Sequence, residues 1–278
     1  MRILVTNDDG VDAPGLLALA QAMTELGEVV VVAPDREFSG AGAAIGAIWE
    51  FTPHVTRRRL DGITEAWAVN GPPALCVMYA RLGAFGDDVD LVVSGINPGA
   101  NVGRSVYHSG TVGACLSGRN GGWSGVAVSQ AVTGWGVEGQ GYEEAIKNQK
   151  FHVAADVAQT FVRGLIDGPP DEVVIANINV PNVELDEIEG WRLTRVGVSP
   201  PRAMARAQLV PTDHDPDHFD VDVAWGDRLD LPEDTDGGAI ERNVVSVSYL
   251  TRLQAERRDD LTKAEVALDG LLGRNGSS

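Results

Sequence analysis

Short apolar runs alternate with segments of helical spacing through the first two-thirds of the chain, and this alternation limits the fold more than any other feature. Ile3-Leu4-Val5, Val29 to Val32, residues 90–93, Val126-Ala127-Val128 and Val173 to Ile178 read as strands. Their apolar residues are consecutive, as expected of strands covered on both faces. Between them, residues 14–26 place apolar side chains at positions 16, 17, 19, 20, 23 and 26, which is helical spacing. Asp12 is placed to cap this helix, Pro14 suits its first turn and Gly27 suits its stop. Residues 73–83, 110–119 and 143–166 read as further helices. Strand and helix in turn give an α/β fold with a mainly parallel sheet covered on both sides. After Pro181 the texture changes. Residues 191–230 carry strand fragments and the acidic stretch DHDPDHFDVDVAWGD, which suits an antiparallel arm or hairpin. Residues 244–250 alternate like a strand, 261–272 suit a closing helix, and the tail RNGSS is expected to fray. The expected organisation is a core over 1–185 and an arm with a closing segment over 186–278.

In an open α/β sheet, ligands bind outside the carboxyl ends of the strands. Here the first strand runs directly into Asn7-Asp8-Asp9-Gly10, and two adjacent carboxylates at a strand end repel one another and are costly to desolvate. The second strand ends in a loop carrying Ser39, and the strand at 90–93 leads to Asn97 and Asn101. Carboxylates, a hydroxyl and carboxamides thus converge on one edge. These are hard oxygen donors, suited to Mg²⁺, Mn²⁺ or Ca²⁺ rather than to a thiolate-loving metal. Ser109-Gly110-Thr111 stands where a helix begins, and backbone N–H groups with two hydroxyls there form an anion site. A cation beside an anion site points to a phosphoryl ligand. Each piece also has a plainer reading: a solvated turn at Asp8-Asp9-Gly10, loop chemistry at Ser39, a tight turn at SGINPGAN and an ordinary helix cap at Ser109.

The formal net charge of −18 over 278 residues argues against a nucleic-acid duplex as partner. Arg57-Arg58-Arg59 and Arg257-Arg258 are short runs that read as surface. No apolar run is long enough to span a bilayer, and no leader segment is evident before the first strand. Cys76 and Cys115 lie in apolar helical contexts, so a reduced, cytoplasmic protein is expected. No G-x-G-x-x-G or P-loop signature is present.

In this order, NDDGVDAPG, APDREFSGAG, VVSGINPGANVG and YHSGTVGA resemble the SurE family of metal-dependent 5′-nucleotidases, and DTDGGAIERNVVSVSYL resembles that family's closing segment. The resemblance covers most of residues 1–250. It implies a Rossmann-like doubly wound core with a C-terminal arm exchanged between subunits of a homodimer or homotetramer. It implies one divalent cation per subunit, Mg²⁺ or Mn²⁺, with Ca²⁺ able to take the site in crystals. The ligands implied are Asp8, Asp9, Ser39 and Asn97, with Asp8, Asp9 and Asn97 serving catalysis. Asn101, Ser109, Gly110 and Thr111 fall on the phosphate-contacting positions. The implied reaction is hydrolysis of nucleoside 5′-monophosphates to nucleoside and phosphate, and some members of the family also act on 3′-monophosphates. Two stretches depart from the family pattern. Ala43 and Ala44 replace a polar pair, and Gly71-Pro72-Pro73-Ala74-Leu75-Cys76 lacks a threonine hydroxyl and a carboxylate. These departures keep two alternatives open: a phosphatase for another phosphomonoester such as a sugar phosphate, and a non-catalytic metal- or nucleotide-binding homologue.

His108 adjoins the phosphate loop and could donate to a leaving group, a structural role being the alternative. Either Asp8 or Asp9 could position water or take its proton. His214 and His218, among Asp213, Asp215 and Asp217, read as a solvated hairpin tip. Trp191 and Trp225 in the arm region suit an interface.

Overall fold

The computed structural model describes residues 1–46, 48, 49, 52–132, 146–212, 215–253, 255, 256, 260 and 262–272. In chain order the elements are β1 (Arg2–Thr6), α1 (Pro14–Met23), β2 (Glu28–Pro34), β3 (Val55–Leu60), β4 (Ile63–Val69), α2 (Pro73–Arg81), β5 (Leu91–Pro98), α3 (Gly110–Asn120), β6 (Ser124–Gln130), α4 (Phe151–Asp167), β7 (Ile175–Val180), β8 (Gly190–Leu193), β9 (Met204–Thr212), β10 (Asp215–Trp225), α5 (Asp236–Ile240), β11 (Val244–Leu250) and α6 (Thr262–Leu272). Nine strands form one sheet in the order β3-β4-β2-β1-β5-β6-β7-β11-β8. From β4 to β7 every pairing is parallel, while β3 joins β4 and β11 joins β7 antiparallel. The chain steps from β1 to β2 on one side and later returns to place β5 on the other, so the strand order reverses at β1 and β5.

The consecutive apolar residues of each strand feed two cores. Ile3, Val5, Val31 and Val93 face α1 and α4, where Leu16, Leu19, Val153 and Val162 meet them. Leu4, Val30 and Val92 face α2 and α3, against Leu75, Val77, Val112 and Cys115. Each fully buried side chain of this size contributes roughly 1.5–3 kcal/mol. The fold is a doubly wound, mostly parallel α/β sheet, and β9 and β10 form a separate antiparallel hairpin whose side chains are largely exposed. The chain then returns to the main sheet, where Val247 pairs with Ile178 and extends the sheet past β7.

Several local expectations are corrected. Asp12 does not cap α1; the cap position is Ala13 with no side-chain bond, and Asp12 pairs instead with Arg58. The helix ends at Met23 and Thr24 rather than at Gly27. Gly27 is there for close passage, since a Cβ would lie 2.5 Å from the carbonyl oxygen of Met1. The helix expected over 143–166 starts at Phe151, and residues 143–145 lie outside the described residues. The β3–β4 hairpin was not anticipated. Arg57-Arg58-Arg59 sits on β3 at the sheet edge, where Arg57 lies over the Trp67 ring at 5.3 Å. Of the acidic hairpin tip, Asp213 and His214 lie outside the described residues, while His218 is exposed on β10.

Candidate active site

β1 delivers Asn7, Asp8 and Asp9 to the carboxyl edge at the point where strand order reverses, the usual ligand position in such sheets. Asn7 closes the turn. Its Nδ2 donates to the Gly10 carbonyl at 3.0 Å and its Oδ1 accepts the Gly10 N–H at 3.2 Å. Gly10 has φ +108°, and any Cβ there would press on the Arg36 backbone at 3.3 Å.

Alternation along the strand sends Asp8 toward α3. Its Oδ1 accepts the Thr111 hydroxyl at 2.6 Å and its Oδ2 accepts the Gly110 N–H at 3.1 Å. A negative group at a helix N-terminus is favourable, and here the protein's own carboxylate takes that position. Gly110 has to be glycine, because a Cβ would lie 2.7–3.0 Å from Asp8 Cβ, Oδ2 and Cγ. Ser109 is buried and caps α3, accepting the Val112 N–H at 3.1 Å. Burial raises the Asp8 pKa, while the Thr111 hydroxyl and the N–H donors oppose the rise.

Asp9 differs. Its Oδ2 is buried and has no hydrogen-bond partner. Burial holds its carboxyl well above the ordinary range, and the charges of Asp8 and Glu37 add to this. Thr6 Oγ1 and Ser94 Oγ, on register partners in β1 and β5, are also buried without partners.

The loop after β2 is tied to this edge by the Phe38 N–H, which donates to the Asp8 carbonyl at 2.7 Å. Ser39 lies exposed on that loop and donates to Glu37 Oε1 at 2.7 Å. Glu37 was not singled out in the sequence. The signal was present: a carboxylate two residues before Ser39 in a loop that returns to β1. Farther along, the Gly42 N–H donates to the His108 carbonyl at 3.0 Å, and a Cβ on Gly113 would meet the Gly42 carbonyl oxygen at 2.1 Å. His108 itself is exposed.

At the end of β5, Asn97 Nδ2 donates to the Gly99 carbonyl at 2.7 Å. The Gly95–Ile96 peptide bond just before it is cis. Asn101 is buried, and its Nδ2 donates to Ser129 Oγ at 2.9 Å. Ala43 and Ala44 lie exposed on the loop facing α3, and Pro72 and Pro73 open α2.

A divalent cation would need oxygen donors, and its charge would offset the repulsion between adjacent carboxylates. Asp9 carries a buried oxygen that no other described residue satisfies, which fits such a group. The donor set expected from the sequence is two carboxylates with a hydroxyl and a carboxamide, of which Ser39 is bonded to Glu37 and Asn97 to Gly99. Among the described residues, no three His, Cys, Asp or Glu side chains gather to hold a metal ion.

The model of the family described as "Survival protein SurE" matches residues 3–202. A protein of Aeromonas hydrophila subsp. hydrophila named 5′-nucleotidase SurE is 39% identical over 257 residues, covering 90% of this chain and 92% of that protein. Another of the same name from Alkalilimnicola ehrlichii is 37% identical over 277 residues, covering 98% and 95%. The crystal structure of the SurE protein from Aquifex aeolicus aligns with TM-score 0.73 at 30% identity, covering 97% of this chain and all of that one. The agreement runs from the strand carrying Asp8 and Asp9 through the segments that surround it, and the chain belongs to the SurE family.

Proposed function

We propose that this protein is a metal-dependent phosphomonoesterase that hydrolyses nucleoside 5′-monophosphates, and also 3′-monophosphates, to nucleoside and phosphate. The observation that carries this reading is the Asp8–Asp9 pair at the strand reversal, where one oxygen of Asp9 is buried and unpartnered. Two relatives similar over nearly the whole chain are named 5′-nucleotidases, which supports the substrate class.

Asp8, Asp9, Ser39 and Asn97 would hold one divalent cation, Mg²⁺ or Mn²⁺. When bound, that cation supplies Lewis acidity toward phosphoryl oxygens and water. The two aspartates divide the remaining work. Both oxygens of Asp8 are engaged by Thr111 and Gly110, which makes it a fixed anchor between β1 and α3. Asp9 would turn the buried Oδ2 to the cation, and its other carboxylate oxygen would orient a water molecule and take its proton. The Ser109 oxygen accepts the cap bond, so its O–H remains available to donate to a phosphoryl oxygen. Asn101 donates beside it through its second amide proton. Exposed His108 lies next to this group and can protonate the departing alkoxide. Phosphoryl transfer of this kind depends mainly on positioning and charge stabilisation.

The exposed β9–β10 hairpin supports exchange of an arm between subunits of a homodimer or homotetramer, since Leu209 and Val221 present apolar side chains to solvent within one chain. Cys76 and Cys115 are buried and unbridged, which supports a reducing, cytoplasmic setting. No helix among the described residues is long and apolar enough to cross a membrane.

The test is phosphate release from a panel of nucleoside 5′- and 3′-monophosphates and sugar phosphates, with EDTA, Mg²⁺ or Mn²⁺. Release from nucleotides that EDTA abolishes is expected. Release from sugar phosphates alone would keep the chemistry and discard the nucleotide. Metal binding without release of phosphate would discard the enzyme.

A further inference from the structure

Two asparagines in a strand buried on both faces need partners close at hand. Asn177 and Asn179 on β7 are fully buried and point to the same face. They meet Asn101, across sequence separations of 76 and 78 residues. Asn179 Oδ1 accepts the Asn101 N–H at 2.7 Å, and its Nδ2 donates to the Asn101 carbonyl at 3.2 Å. Asn177 Nδ2 donates to the same carbonyl at 2.9 Å. Ser129, the register partner of Asn179 on β6, accepts one amide proton of the Asn101 side chain at 2.9 Å.

Three buried side chains thus fix both the main chain and the carboxamide of one loop residue. With one amide proton held by Ser129, the direction of the other is set. The arrangement carries a cost of its own. An unsatisfied buried polar atom costs about 1–3 kcal/mol, and Asn177 Oδ1 has no partner. An aliphatic pair would avoid that cost but would leave the buried N–H and carbonyl of Asn101 without their partners, so the asparagines are there to hold this loop residue.

We infer that Asn179, with Asn177 and Ser129, is a positioning residue that aims the Asn101 amide at the phosphoryl group. This rests on the reading that Asn101 contacts that group. The test is a double-mutant cycle in steady-state hydrolysis of para-nitrophenyl phosphate with Mn²⁺, using the full chain. Its variants are Asn101→Ala, Asn179→Leu, Ser129→Ala and the two pairings with Asn101→Ala. Ser129→Ala removes a single oxygen, so it reports even if Asn179→Leu fails to fold.

Asn179→Leu is expected to lower kcat on the order of 10- to 100-fold, and Ser129→Ala less, with KM nearly unchanged. In the Asn101→Ala background neither should lower kcat further, although thermal stability still falls. Additive losses, or losses confined to thermal stability or KM, would overturn the positioning role while leaving Asn101 in the site. Full activity of Asn101→Ala would overturn the contact itself and the inference with it. No turnover by the unaltered protein on this substrate or on the nucleotide and sugar-phosphate panel would overturn the phosphomonoesterase reading and this inference together.

Discussion

Two places in this molecule take an aspartate oxygen out of water, and they treat it in opposite ways. In the turn that opens α5, Asp236 is fully buried, and its carboxylate accepts N–H groups from Gly103 at 2.9 Å, Gly197 at 2.9 Å and Gly237 at 2.8 Å. At the end of β1, Asp9 follows Asp8 and leaves one oxygen with no donor among the described residues. Burial raises both pKa values. At Asp236 three backbone donors work against the rise, whereas at Asp9 the charges of Asp8 and Glu37 reinforce it. A carboxylate whose oxygens are satisfied ties segments together. One that is desolvated and unsatisfied is poised to meet something from outside the chain.

Substituting the two residues should separate the roles most sharply. Asp9→Asn should lower kcat on the order of 10²- to 10⁴-fold, with the metal-free fold as stable as before or more so. The check is steady-state phosphate release beside a urea titration. Asp236→Ala should do the reverse. It strands three N–H groups, two of them buried at about 1–3 kcal/mol each, so the urea midpoint should fall by far more than activity does. If Asp236→Ala cost turnover but not stability, the contrast would collapse.

pH sharpens the same comparison. In the unfolded chain Asp9 has an ordinary carboxylate pKa, and in the native state it is raised. Below the ordinary value the group is neutral in both states and no stability is lost. Between the two values the native state holds a proton that the unfolded state has released, so stability falls as pH rises and levels off above the raised value. The melting temperature of the metal-free protein should therefore drop from about pH 4 upward. Asp9→Asn should flatten that drop, and saturating Mn²⁺ should suppress it. A profile unchanged by either would mean that the pair is not strained by charge. At the bottom of the scale, Arg58→Ala breaks a surface pair with Asp12 and should change stability by less than about 1 kcal/mol in the same titration.

What could be read in the sequence followed distance along the chain. Strands such as Val29 to Val32 were legible because every residue is apolar, which happens where helices cover both faces. The β3 edge strand was not, because an exposed edge tolerates Arg57-Arg58-Arg59 and hides the strand inside a charge run. Asp12 looked like a cap from its position alone, but a partner 46 residues away takes it. The residues around Asp8 and Asp9 were visible as strand-end polar groups. That Asp8 would claim the Gly110 N–H and the Thr111 hydroxyl was not visible, since the contact spans 102 and 103 residues. Asn177 and Asn179 give no sequence signal until the loop carrying Asn101 is folded over them.

The most direct measurement is equilibrium binding of Mn²⁺, read from the electron paramagnetic resonance signal of the free ion, for the unaltered chain and for Asp9→Asn. One ion per chain that is lost on substitution is the expected result. No binding by the unaltered chain, or undiminished binding by Asp9→Asn, would contradict the assignment of the β1 end as a cation-dependent site.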